Sequence, residues 1–152
     1  MTARALVDSN VLIYCYDLTD VAKQQRSLET LEALSSTATG ALSAQVLAEF
    51  FVNVTFKIPE PLTVEEGMER VTHYVRSWTV FDVTTRVVQE ATRGVRQHRL
   101  HYWDAQIWAV ARLHRIPVIL SEDFSDGAVL EGVRFLNPFR AGFRAADLIK
   151  SI

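Results

Sequence analysis

Short apolar runs recur along the chain, each separated from the next by a helix-length segment, and this alternation limits the fold more than any other feature. Ala5-Leu6-Val7 stops at the acid Asp8 and leads into the apolar stretch from Val11 to Tyr16, a buried strand running straight into a helix. Residues 20–34 place Leu28, Leu31 and Leu34 among charges, the spacing of an amphipathic helix. Residues 35–40 read as a loop. Ala41-Leu42-Ser43 is a second strand, and Ser43 can cap a helix over residues 44–56. Thr63-Val64-Glu65-Glu66 has the capping-box pattern and starts another helix. Residues 79–83 then read as strand, 84–100 as helix, 103–115 as a strongly apolar helix and 117–120 as a buried strand. Val133-Arg134-Phe135-Leu136 is the last strand, and residues 145–149 carry a weak helical signal. Strands of this kind joined by helices predict an α/β fold, a three-layer α/β/α sandwich with a mostly parallel central sheet.

Composition narrows the setting. With 152 residues, 49% hydrophobic and 22% charged, the chain has material for one well-cored domain and is not a disordered or collagen-like sequence. Its apolar run from Val11 to Cys15 is far too short to span a bilayer. Asp8 and Asp17 spoil a signal-peptide reading. A lone cysteine, Cys15, excludes an internal disulfide and reads as a buried thiol. The expectation is a cytoplasmic protein with no membrane partner.

Four acids interrupt apolar contexts. Asp8 ends the first strand and Asp123 follows the strand over residues 117–120, so both lie at carboxyl ends of parallel strands, where α/β sheets collect their ligands. Glu49 borders the apolar face formed by Val46, Leu47, Phe50, Phe51 and Val54. Asp104 opens a helix that is apolar nearly all round. Each acid also has an ordinary structural reading: Asp8 and Asp104 as helix caps, Asp123 and Asp126 as turn formers, Glu49 as a solvated flank. Taken together those readings weaken, because four segments each bring an acid to one edge of one sheet. Two carboxylates 4 Å apart repel by about 4 kcal/mol at an effective dielectric of 20. Four converging acids therefore call for protonation or a cation. All-oxygen donors favour a hard divalent ion, Mg²⁺ with Mn²⁺ as substitute, and such ions position phosphates and acidify water.

At these residues the chain resembles a known family. Leu6-Val7-Asp8-Ser9-Asn10-Val11-Leu12-Ile13-Tyr14 looks like the opening signature of the PIN-domain ribonucleases. Ser43-Ala44-Gln45-Val46-Leu47-Ala48-Glu49-Phe50 resembles their second motif, Tyr102-Trp103-Asp104-Ala105 their third, and Leu120-Ser121-Glu122-Asp123-Phe124 their fourth. Residues 133–139, ending in Asn137-Pro138-Phe139, resemble the closing strand of VapC-type toxins. The resemblance implies a PIN-like nuclease domain over residues 1–139; residues 140–152 fall outside it, have no assigned role, and on their weak helical signal read as a helical tail of the same domain. It implies a Mg²⁺- or Mn²⁺-dependent endoribonuclease that cleaves RNA through metal-activated water. Asp8, Glu49, Asp104 and Asp123 are then catalytic metal-binding acids, with Asn10 and Ser121 supporting them by hydrogen bonds. Glu122 and Asp126 lie close enough in sequence to share the role of Asp123. The resemblance further implies the toxin of a type II toxin–antitoxin pair, with a small antitoxin as partner and a homodimeric state.

Other features stay open. Arg86, Arg93 and Arg96 share one stripe of the helix over 84–100, either a phosphate track or a solvated face. Tyr102 and Trp103 are expected to pack in the core beside Asp104, with base stacking as the alternative. His98 and His101 lack the further ligands that a zinc site needs. The net charge of −2 does not exclude RNA: with the four site acids set aside, 14 acids face 16 Lys and Arg. Two rival functions remain. A catalytically silent PIN fold that binds RNA or protein is weakened by the presence of all four acids. A phosphatase using Asp8 as nucleophile is weakened by Asn10, where those enzymes carry a second Asp.

Overall fold

The structure, a computed structural model, describes residues 2–150. The chain runs β1 (Ala5–Val7), α1 (Ser9–Ile13), α2 (Val21–Thr37), β2 (Gly40–Ser43), α3 (Ala44–Phe56), α4 (Val64–Ser77) and β3 (Thr79–Phe81). It continues through α5 (Thr85–His98), α6 (Tyr102–Leu113), β4 (Val118–Leu120), β5 (Val129–Leu130), β6 (Val133–Leu136) and α7 (Ala145–Lys150). The sheet order is β3-β2-β1-β4-β6-β5, parallel throughout except for β5 against β6. Helices flank it on both faces, so the predicted α/β/α sandwich is the observed fold.

This order carries a functional consequence. The chain steps from β1 outward through β2 to β3, then returns to place β4 on the other side of β1. The crevice between β1 and β4 is therefore the switch point at which open α/β sheets bind ligands. Val7 pairs with Leu120 at the ends of these strands, and the Asp8 amide donates to the Leu120 carbonyl at 2.9 Å. Asp8 and Ser121 are thereby set side by side at the mouth of the crevice.

Local sequence chemistry explains the helix starts. Ser43 accepts from the Val46 amide at 3.2 Å, and Thr63 and Glu66 form the expected reciprocal box. Ser43→Ala is expected to lower stability by about 1 kcal/mol in a denaturant melt, the usual worth of a cap. The core joins Leu6, Val7 and Leu42 of the sheet to Phe50, Trp108 and Phe135, all at most 2% exposed. Trp108 reaches so far toward α5 that a Cβ on Gly94 would lie 2.7 Å from its ring, so glycine sets the α5–α6 approach.

Several expectations are corrected. Helix α2 runs through Thr37, inside the expected loop, because the Ser36 and Thr37 hydroxyls bond back to the Ala33 carbonyl. The helix then stops at Ala38, which adopts φ 52. Leu28, placed on the apolar face of that helix, is 51% exposed. Strand β5 was not expected: two residues carry little periodicity, and the turn at Glu131 (φ 49) and Gly132 (φ 85) folds them onto β6. The tail returns to the body, with Phe143 buried and α7 against α2. Met1, Ser151 and Ile152 of the expected domain and tail lie outside the described residues. Cys15 packs against the core, its Sγ 3.7 Å from the Val11 carbonyl, and burial pushes its thiol up to about 12. No helix among the described residues is long and apolar enough to cross a membrane.

Candidate active site

The site grows from the carboxyl ends of β1, β2 and β4 and the first turn of α6. Asp8 is 2% exposed and does two jobs at once. Its Oδ1 caps α1 by accepting from the Ser9 amide at 2.7 Å, while Oδ2 accepts from the Ser121 hydroxyl at 2.6 Å. Burial raises its pKa to about 6, opposed by those two hydrogen bonds and reinforced by the charges of Glu49 and Asp123. Asn10 spans the crevice, its Nδ2 3.2 Å from both the Ser121 hydroxyl and Asp123 Oδ2 and 3.4 Å from Asp8 Oδ2. The Asp123 amide in turn donates to the Ser121 hydroxyl at 3.1 Å.

Glu49 enters from α3, the helix that Ser43 caps. Its Oε2 accepts from the Ser9 hydroxyl at 2.8 Å, which links it directly to the Asp8 segment. Its Oε1 accepts from Gln45 Nε2, also at 2.8 Å. Asp104 lies in the first turn of α6, where it is not the cap: His101 takes that position and makes no side-chain cap bond. Among the described residues the Asp104 carboxylate accepts no hydrogen bond. Its pKa is raised by partial burial and by the charges of Asp123 and Glu49, with His101 acting the other way. The four acids therefore share one electrostatic environment, since Asp8 and Asp104 each feel both Glu49 and Asp123.

This donor set suits a hard cation, with four carboxylates and no sulfur ligand. Among the described residues half-buried Asp104 accepts no hydrogen bond, as suits a ligating carboxylate, and only the charge of His101 opposes those of Asp123 and Glu49. Among the described residues, however, no three His, Cys, Asp or Glu groups sit close enough to form a finished metal cage. Glu49 and Asp8 are held instead by serine, asparagine and glutamine donors.

Two neighbouring acids are accounted for elsewhere. Glu122 accepts from the Tyr14 hydroxyl at 2.7 Å and from Lys23 at 2.8 Å. Asp126 accepts from the Asn137 amide at 2.8 Å and pairs with Arg140 at 3.1 Å. Both carboxylates thus have partners outside the group formed by Asp8, Asn10, Ser121 and Asp123. The arginine stripe is also reduced. Arg93 is committed to Glu90 and to Glu131, the latter at 3.0 Å, while Arg86 and Arg96 stay exposed. Glu131 gathers Arg93, Arg112 and His98, and those bonds hold its carboxyl at about 2.

A model of the PIN domain matches residues 5–125. The chain belongs to the PIN domain family. Its fold is also that of solved toxin structures. A toxin–antitoxin complex from Klebsiella pneumoniae aligns with a TM-score of 0.65 at 20% identity, over 88% of this chain and 97% of that one. VapC20 of Mycobacterium tuberculosis, a sarcin–ricin-loop cleaving toxin, gives 0.61 at 18% identity, over 86% and 98%. DNA-bound VapBC from Salmonella typhimurium gives 0.62 at 15%, over 90% and 99%. At these identities the likeness is one of fold. No curated protein sequence matches the chain.

Sequence reasoning missed part of this PIN domain's site. Ser9 and Gln45 stand within the motif runs without a role in the site assigned to either, and Gln106 was not singled out. Gln106 is 5% exposed; it accepts from the Tyr102 hydroxyl at 2.9 Å and donates to Gln45 at 2.7 Å. Gln45 passes the chain on to Glu49 and also holds the Trp103 carbonyl at 3.1 Å. The one available signal was polar residues facing inward on helices α3 and α6, which are otherwise apolar there.

Proposed function

We propose that this PIN domain is a divalent-metal-dependent endoribonuclease acting as the toxin of a toxin–antitoxin pair. The observation that carries the reading is the set of four carboxylates at the switch-point crevice, in which Glu49 and Asp123 repel both Asp8 and Asp104. One of them, Asp104, accepts no hydrogen bond among the described residues. Asp8 and Asp104 would hold Mg²⁺ or Mn²⁺, with Glu49 and Asp123 completing the set. Such an ion, when bound, supplies Lewis-acid charge to a phosphate oxygen and acidifies water.

The chain's own residues do the rest. Ser121 and the Ser9 amide fix the Asp8 carboxylate in one orientation. Ser9 and Gln45 do the same for Glu49, and Asn10 ties the Asp123 loop to β1. Because Gln45 is itself held by Gln106, Gln106→Leu is expected to reduce cleavage roughly 10- to 100-fold, the usual cost of an outer-shell loss. Steady-state rates at saturating Mn²⁺ measure it. Unchanged rates would remove Gln106 from the supporting role.

An antitoxin partner is supported by solved structures of this fold that are a toxin–antitoxin complex and a VapBC assembly, and by a surface that suits a protein. Leu47, Phe51, Met68, Val71 and Val75 line an apolar groove between α3 and α4, which contains none of the four acids. Met68 and Val75 are each more than half exposed there. A homodimer and a cytoplasmic location complete the reading. The deciding experiment incubates the purified chain with total RNA in Mg²⁺, Mn²⁺ or EDTA and maps the new ends. Cutting in either metal and none in EDTA is expected. RNA binding indifferent to EDTA, with no cutting in any condition, would favour the silent binding module instead.

A further inference from the structure

The three tryptophans occupy different settings. Trp108 is fully buried and Trp78 packs beside Gly40, whereas Trp103 is 56% exposed. It stands in the first turn of α6, just before the fully buried stretch from Ala105 to Ala111. The core packing expected of it is therefore not observed. Nor is it loosely held. The Tyr102 ring meets it edge-on with centroids 5.0 Å apart, and Tyr102 is anchored to Gln106. Its carbonyl accepts from the same Gln45 amide that orients Glu49, and the next residue is Asp104. An exposed indole thus stands beside the site, its backbone held by the glutamine that orients Glu49 and its ring braced by Tyr102.

Its surroundings point to an anionic, aromatic ligand. The α5–α6 turn ends in Arg99, at φ 55, and His101. Both are exposed; Arg99 has no hydrogen bond or ion pair among the described residues, whereas His101 already acts on the Asp104 carboxylate. A flat apolar ring with the Arg99 guanidinium close by in the chain, next to a phosphate-handling site, matches the alternation of base and phosphate along a single strand.

We propose that the Trp103 indole is a stacking platform for an unpaired nucleobase next to the cleaved bond, with Arg99 meeting a flanking phosphate. The proposal rests on the ribonuclease reading of the acids and names the residue that holds the base beside the cut. Duplex RNA keeps its bases stacked on each other and offers the indole no free face.

The test uses oligoadenylate and oligouridylate of about ten nucleotides, within the span of a single-strand groove, and a perfect duplex of equal length. In EDTA the single strands are expected to quench the fluorescence of the exposed tryptophan and the duplex is not. Trp103→Phe should abolish the quench and keep most of the affinity. Trp103→Ala should weaken binding roughly 5- to 150-fold, the range covered by one lost base–aromatic stack. With Mn²⁺ the loss should fall on KM more than on kcat. Equal binding by Trp103→Ala, or equal quenching by duplex, would overturn the platform. So would a Trp103→Ala chain that changes from dimer to monomer in sedimentation with RNA affinity intact, since the indole would then cover a second copy. If no RNA is cut in either metal while Trp103-dependent binding persists, the platform stands and the ribonuclease reading falls.

Discussion

Asp104→Asn is expected to cut RNA cleavage roughly a thousandfold or more while leaving the fold unchanged. The size follows from what is removed. A divalent ion's charge on the transition state is worth several kcal/mol, and each 1.4 kcal/mol is a factor of ten in rate. The selectivity follows from the geometry. Among the described residues Asp104 accepts no hydrogen bond, and its carboxyl is strained electrostatically by burial and by Asp123 and Glu49. Neutralising it removes repulsion and breaks no structural contact, so the melting temperature should hold or rise. Asp8→Asn should abolish cleavage equally, as should EDTA on the unaltered chain. Gel assays of RNA cutting, paired with thermal melts of the same preparations, read both halves. Full cleavage by Asp104→Asn would refute the metal-site reading. Lost cleavage with a collapsed melt would assign Asp104 a structural role.

How much of this was legible in the sequence depends on the range of each interaction. The caps at Ser43 and Thr63 were readable because donor and acceptor lie within three residues. Apolar β-rich runs such as Ala5-Leu6-Val7 and the last strand were readable because burial on both faces leaves a continuous signature. The four acids stood out as charges in apolar settings, and the PIN motifs put them in order. Asn10 and Ser121 came with those motifs, although the bond of Ser121 to Asp8 across 113 positions exists only once the sheet order is known. The glutamines were harder to see. Gln106 meets Gln45 across 61 positions, and glutamine carries no net charge, so nothing in a single sequence marks either as buried. Trp103 was misplaced for the opposite reason. Its neighbours promise a core helix, but the first turn of α6 has not yet entered the core. Arg93 looked free because its partner Glu131 lies 38 residues on, in a turn that the sequence did not reveal.

A second large effect concerns stability: the metal-free Asp8→Asn chain is expected to be more stable than the unaltered one at pH 7. Burial raises the Asp8 carboxyl to about 6 in the folded protein, against its ordinary value of 3.8. The folded state thus holds this proton more tightly than the unfolded chain. Between pH 3.8 and 6 it carries the larger share of protons, so on this account stability falls as pH rises and stays reduced above about 6. The difference corresponds to about 3 kcal/mol at neutral pH. Asparagine avoids the buried charge but cannot accept at its amide nitrogen the bond now donated by Ser121, which returns about 1 kcal/mol. A net gain of about 2 kcal/mol would raise the melting temperature by roughly 4–8 °C for a chain of this size. Glu131 sets the acid limit of the window. Its carboxyl is lowered from 4.5 to about 2, so its contribution is complete above pH 4.5 and is lost as pH falls below that. In EDTA, melts of the unaltered chain should therefore gain an Asp8 contribution between pH 7 and pH 5, whereas Asp8→Asn should lack it. Subtracting the two pH profiles isolates Asp8, because the histidines and Glu131 are common to both. Mn²⁺ should raise the melting temperature of the unaltered chain and leave that of Asp8→Asn nearly unmoved. If Asp8→Asn is the less stable chain at pH 7, the bonds from Ser9 and Ser121 outweigh the buried charge. In that case Asp8 serves the fold as its helix cap as well as the site.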